Sequence, residues 1–144
     1  MPLSNKENKF QMMHESKFFE GGALNSFGEK FDFEGKEFYP EMKYNLLGTT
    51  MNYFIENSIL DIPDYIKIDV DGIEHLILDG GDKFLKNEKI KSLSIEINEN
   101  FKNQYDNVLN LMKRYNYRIL HKKQNSDLLS EGKFKETYNY IFIK

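Results

Sequence analysis

Apolar and polar positions follow regular periods from residue 44 onward, and these periods predict alternating strands and helices. Alternation at every second residue and short apolar runs indicate strands, whereas apolar positions three and four residues apart indicate helices. The predicted strands are 44–47, 65–70, 92–98, 117–121 and 138–143. The predicted helices are 51–57 with Thr49 or Thr50 as N-cap, a stretch over 73–85 that Gly80-Gly81 divides in two, and 103–115.

This order of elements predicts an α/β fold with a partial doubly wound sheet that is mostly parallel. The last two strands have no helix between them, so we expect them to form an antiparallel hairpin. The chain divides into an irregular N-terminal segment with short hairpins, 1–43, and an α/β region, 44–144. Within the first segment, Gly21-Gly22-Ala23 follows no βα unit and precedes no amphipathic helix, which favours a turn over a nucleotide-binding loop.

Composition removes several classes of function. The 20 basic and 23 acidic residues give a net charge of −3, so no surface for nucleic acid is expected. The chain has no cysteine, which excludes disulfides, thiolate catalysis and cysteine-ligated zinc and is compatible with a cytoplasmic location. No apolar run approaches the ~20 residues of a membrane span.

Polar residues interrupt two of the predicted strands on one face. Lys67 and Asp69 share a face of the first strand, and Ser94, Glu96 and Asn98 share a face of the second. If the strands are parallel neighbours, Asp69 and Asp71 end beside Glu96 and Asn98, at the edge where open α/β sheets bind ligands. Such a cluster could accept a proton from a substrate hydroxyl. Alternatively, Asp69, Asp71, Glu96 and Asn98 could bind a divalent cation.

A simpler interpretation of each residue stays open at this point. Asp69 and Asp71, and Glu74 in the first turn, suit capping of the following helix, where the helix dipole favours anions. Lys67 suits pairing with Asp69 on the same face. His75 suits a base near neutral pH, although a helix histidine without a role is the commoner case.

The segment Lys-Ile-Asp-Val-Asp-Gly-Ile-Glu at residues 67–74, with its continuation to Gly81, resembles the signature of FkbM-type methyltransferases. Thr49-Thr50-Met51-Asn52 is similar to a helix opening of that family, and Ser94-Ile95-Glu96-Ile97 is similar to its next strand. The resemblance covers roughly 44–144. It implies the C-terminal half of a Rossmann-like, class I methyltransferase fold.

The resemblance implies an O-methyltransferase that takes a methyl group from S-adenosylmethionine and acts on a hydroxyl of a sugar, glycan or related natural product. Asp69, Asp71, Glu74 and Glu96 then match the acidic, catalytic positions. We assign Lys67, His75 and Asn98 to binding of the small-molecule or glycan acceptor. Residues that bind the cofactor remain unknown.

The sequence departs from the family in its N-terminal part. The first strands of the sheet and the Gly-rich loop that would meet the cofactor are not recognisable, so the strand at 65–70 should become an apolar sheet edge. We expect residues 10–43, a missing N-terminal half or a second copy of the chain to cover this edge. Two alternatives to an active enzyme follow: a split methyltransferase half that is inactive alone, and a non-enzymatic binding module.

Overall fold

The computed structural model describes residues 1–16, 24–37, 39–124, 132 and 134–144. Gly21-Gly22-Ala23 and most of the loop between the last two strands lie outside these ranges. The strands are β1 (Lys9–Glu15), β2 (Ser26–Phe27), β3 (Met42–Gly48), β4 (Tyr65–Ile68), β5 (Ser92–Asn98), β6 (Arg118–Lys123) and β7 (Thr137–Ile143). The helices are α1 (Met51–Glu56), α2 (Glu74–Asp79), α3 (Asp82–Lys86) and α4 (Lys102–Arg114).

The predicted strands and helices after residue 43 are all present, with ends within a few residues of the predicted ones. The local chemistry explains why. Thr50 caps α1 by accepting a hydrogen bond on Oγ1 from the Tyr53 N–H, at 3.2 Å. Gly80 ends α2, and α3 begins directly after Gly81. The prediction that these two glycines divide the helical stretch is therefore confirmed.

The main sheet has the strand order β4-β5-β7-β6. β4 and β5 are parallel, with Ile68 beside Ile95, and β7 pairs antiparallel with both β5 and β6. The antiparallel C-terminal hairpin is confirmed. The mostly parallel sheet needs correction, because β7 enters between β5 and β6 in the opposite direction and leaves one parallel pair among the described strands.

One face of β4 and β5 packs in the core while the other face stays partly exposed. Leu93, Ile95 and Ile97 of β5 have no exposed surface, whereas Ser94 and Glu96 between them are half-buried. On the packed face lie apolar residues of α4, namely Val108, Leu111 and Met112. This alternation explains the polar residues that interrupt both strands, and a sheet covered by helices on both faces is not confirmed.

A second sheet, which the sequence did not predict, contains β1, β2 and β3 in the order β2-β1-β3. β1 pairs antiparallel with β3 along seven residues, from Lys9 opposite Gly48 to Glu15 opposite Met42. This sheet connects residues on both sides of the predicted boundary between 43 and 44. The division of the chain into two regions there stays a prediction.

Candidate active site at the ends of strands β4 and β5

Asp69 and Glu96 lie next to each other at the carboxyl ends of the two parallel strands. The register that places Ile68 beside Ile95 brings the following residues of both strands together. The negative charge of Asp69 therefore acts directly on the Glu96 carboxyl group. Burial, followed by the negative charges of Asp69 and Asp71, raises the pKa of Glu96 to about 7. The pair can therefore gain or lose one proton near neutral pH.

Lys67 is the positive group of this cluster. Its Nζ lies 2.6 Å from Asp69 Oδ2, and the side chain remains mostly exposed. The hydrogen bond to Asp69 and the charge of that carboxylate raise the pKa of Lys67. The interpretation of Lys67 as a partner of Asp69 is confirmed, and its charge partly offsets those of the clustered acids.

Asp71 contacts the N-terminal part of the chain. Its Oδ2 accepts hydrogen bonds from the backbone N–H groups of Leu24, at 2.7 Å, and Asn25, at 3.2 Å. The N-cap position of α2 is Ile73, and no side chain caps the helix there. Helix capping is therefore not the role of Asp69 or Asp71 in this structure.

Glu74 points inward from the first turn of α2 and is 1% exposed. Its Oε1 accepts a hydrogen bond from the Val70 N–H at 3.0 Å, and its Oε2 accepts one from Gln104 Nε2. Burial raises the pKa of Glu74 to about 8, although the hydrogen bonds to its carboxylate oppose this shift. Glu74 thus borders the same small cavity as Glu96 and connects the end of β4 to α4.

Gln104 and Asn98 complete this connection. Gln104, which is 2% exposed, accepts a hydrogen bond on Oε1 from the Asn98 N–H at 2.9 Å. Asn98 is also buried, and its Nδ2 donates to the Phe33 carbonyl oxygen at 3.2 Å. Sequence analysis missed Gln104. The available signal was its position four residues before Val108, on the apolar face of α4.

His75 lies away from the carboxylates. Its ring packs between Phe31, with centroids 6.4 Å apart, and Phe101, with centroids 5.9 Å apart. Burial lowers the pKa of His75, so the imidazole is neutral at physiological pH. His75 lines an open groove between α2 and α4, and the structure does not place it with Asp69 and Glu96.

The donor set gives no support for a divalent cation. Within the ranges that the structure describes, which include Asp69, Asp71, Glu96 and Asn98, no three His, Asp or Glu side chains converge on a point where a metal ion fits. Lys67, paired with Asp69, supplies positive charge to the acids instead.

Among the helices of the described residues, none has the length and apolar character that crossing a bilayer requires.

The fold and the site define a class of protein: a mixed α/β domain with an acidic cluster at the carboxyl ends of two parallel strands. The family model described as the methyltransferase FkbM domain matches residues 43–119, more than half of the chain. The chain belongs to this FkbM methyltransferase family. No curated protein and no solved structure gives a significant match to the chain.

Proposed function

We propose that this chain takes part in S-adenosylmethionine-dependent O-methylation of a hydroxyl on a sugar, glycan or related small molecule. The observation that carries the proposal is the Asp69–Glu96 pair, whose Glu96 has a pKa of about 7. A base with this pKa is half ionised near neutral pH, which suits removal of a proton from a hydroxyl during the reaction. A cytoplasmic location and a role in polysaccharide modification belong to the same proposal.

The surroundings of Asp69 are compatible with a bound methyl donor. An open cleft of about 420 Å³ runs along β4, with Asp69 and Lys67 on one side. Its apolar residues are Leu3, Met51, Ile66, Ile68, Val70 and Ile77. Apolar walls beside a carboxylate fit the hydrocarbon and sulfonium groups of S-adenosylmethionine. When bound, this cofactor supplies a methyl group on a positively charged sulfur.

The chain's own residues would perform the remaining tasks. The Glu96 carboxylate would accept the proton of the acceptor hydroxyl, and bound S-adenosylmethionine would supply the methyl group that the hydroxyl oxygen takes up in exchange for this proton. The negative charge of Asp69 helps to raise the pKa of Glu96 and would stabilise a nearby positive charge. Lys67 forms an ion pair with Asp69. Asn98 would donate a hydrogen bond to a hydroxyl group of the methyl acceptor, and Asp71 would accept one from such a group. Alignment of the acceptor oxygen with the methyl group would lower the barrier by holding the reacting atoms in line.

A second candidate is a split methyltransferase half that a partner completes. Among the described strands, β4 pairs with β5 alone, and its other side borders the open cleft. An unpaired strand side of this kind offers backbone N–H and C=O groups to another strand. That strand would come from a separate N-terminal half or a second copy. A non-enzymatic binding module is the third alternative.

Calorimetric titration of the folded chain with S-adenosylmethionine tests the first candidate against the second. Binding in the micromolar range, about −8 kcal/mol, would show that the chain binds the cofactor by itself. No binding by a folded chain would reject self-sufficient catalysis and favour the split half. Transfer of labelled methyl groups to a panel of sugars then tests chemistry, with Glu96→Gln as the inactive variant and the exposed Glu88→Gln as its control.

A further inference from the structure

Residues 24–35, which we call the strap, run across the carboxyl ends of β4 and β5. At its start, the backbone N–H groups of Leu24 and Asn25 donate to Asp71 Oδ2. Near its end, the carbonyl oxygen of Phe33 accepts a hydrogen bond from Asn98 Nδ2 at 3.2 Å. The strap is therefore hydrogen-bonded to one polar residue at the end of each strand: Asp71, which follows β4, and Asn98, the last residue of β5.

The backbone of the strap also lies directly on Gly72. A Cβ atom at Gly72 would come within 3.0 Å of the Asp32 carbonyl oxygen and the Phe33 Cα. Gly72 has φ +105°, a conformation that favours glycine. Under Phe33, the space bounded by Glu74, Glu96 and Asn98 is a cavity of only about 10 Å³, which is room for about one water. The strap thus leaves no space for an acceptor on this side of Glu96.

The strap is also fixed by aromatic contacts that lie away from the carboxylates. The Phe31 ring contacts the Phe101 ring edge to face, with centroids 5.1 Å apart. Gly35 has φ +74°, and a Cβ there would come within 2.4 Å of the Phe101 ring. These contacts can be changed without changing Asp69, Asp71 or Glu96.

The polarity of the covered groups matches a hydroxyl compound. Asp71 accepts hydrogen bonds from the strap, whereas the Asn98 amide donates one to it. Hydroxyl groups both donate and accept, so an acceptor with two suitably placed hydroxyls can replace both contacts. Such an exchange of hydrogen bonds has a small net cost, whereas leaving buried partners unpaired is expensive.

Within the strap, β2 is paired with β1 and Phe27 lies in the core. We propose that the two parts of the strap on either side of β2 occupy the acceptor position, and that an acceptor reaches the Asn98 side of Glu96 only when these parts move aside. The acceptor side of this inference rests on the proposed function. In the absence of acceptor, the strap limits the space on this side of Glu96 to room for about one water. It also selects against molecules that lack hydroxyls to take over the contacts with Asp71 and Asn98.

Carbodiimide labelling of carboxyl groups, measured by mass spectrometry, tests whether the strap covers the site. The experiment does not require an active enzyme. Phe31→Ala and Gly35→Ala should loosen the strap, and labelling of Asp71 and Glu96 should become roughly tenfold faster. Labelling of the exposed Asp106 should stay constant in every variant and serves as the internal reference. Gly132→Ala is the matched control, because Gly132 also has positive φ, +84°, but nothing lies within 4 Å of its added Cβ.

Amide hydrogen exchange at Leu24 and Asn25 reports strap release in the same samples. Asn98→Asp provides a second route to release, because it removes the donor to Phe33 but keeps the oxygen that accepts from the Asn100 N–H at 3.0 Å. Faster exchange without faster labelling would overturn the proposal. So would unchanged exchange in all three variants, because the contacts described would then not hold the strap. Strap release with faster labelling but no methyl transfer in any variant would reject the proposed function and leave the covering role supported.

Discussion

Gln104 Nε2 donates a hydrogen bond to Glu74 Oε2, and this buried contact joins the ends of the two parallel strands. Glu74 accepts a hydrogen bond from the Val70 N–H, just after β4, and Gln104 accepts one from the Asn98 N–H, at the end of β5. Backbone groups at the end of a strand lose their sheet partners, and a buried group without a partner is costly. The two side chains therefore fix the point where both strands stop, and they border the same small cavity as Glu96.

Replacement of Gln104 should destabilise the fold. Gln104→Leu keeps a side chain of similar size but leaves the Asn98 N–H and one Glu74 oxygen without their partner, which should lower the free energy of unfolding by about 2 kcal/mol. Urea unfolding measures this change. Asn110→Leu, at an exposed position of the same helix, is the control and should change stability little. Equal stability of both variants would contradict the structural role of Gln104.

The raised pKa of Glu74, about 8, makes folding stability depend on pH. The folded state holds this proton more tightly than the unfolded chain, whose glutamates titrate near 4.3. The stability that Glu74 contributes is therefore fully present below about pH 4.3 and is lost as pH rises through about 8, by on the order of a few kcal/mol. Urea unfolding across this range measures the slope. Glu96, with its pKa of about 7, contributes a slope of the same sign at lower pH. Glu74→Gln should therefore remove most of the slope between about pH 7 and pH 8, and a variant with the wild-type slope in that interval would show that Glu74 is not the titrating group.

Asp69 should raise the pKa of Glu96 through its negative charge. In Asp69→Asn this charge is lost, so the Glu96 midpoint should fall below about 7, while burial keeps it above its ordinary value of 4.5. Carbon NMR of the labelled Glu96 carboxyl group measures the midpoint. Asp64→Asn removes an acid from the other end of β4, where it pairs with Lys91, and should leave the midpoint unchanged. An unchanged midpoint in Asp69→Asn would mean that burial and Asp71, and not Asp69, raise the pKa of Glu96.

Thr50 should contribute to stability through its cap on α1. Thr50→Ala removes the oxygen that accepts from the Tyr53 N–H and should cost about 1 kcal/mol in thermal or urea unfolding. Thr50→Ser retains the oxygen and should recover most of the loss. If serine and alanine destabilise equally, the methyl group of Thr50, and not the cap, accounts for its contribution.

The carboxylate pair was predictable because it depends on local pattern and one strand pairing. Asp69 and Glu96 stand on strands whose alternation is clear in the sequence, and the helical stretch between them indicates a parallel connection. Lys67 and Asp69 pair because residues two apart on a strand share a face. Glu74 was identified as an acid of the motif, but its burial depends on α4, thirty residues further along the chain.

The sequence by itself determined the helices and strands after residue 43, the Thr50 cap of α1, the break at Gly80-Gly81, the parallel β4–β5 pair and the final hairpin, because periodicity and turn chemistry are local properties of the chain. Only the tertiary structure decided that β7 enters between β5 and β6, that His75 packs among aromatic rings and that the strap lies over Gly72. These features depend on contacts between residues far apart in the chain, as between Asn98 and Phe33. A local pattern shows which residues suit burial or hydrogen bonding, but the packing of the whole chain selects their partners.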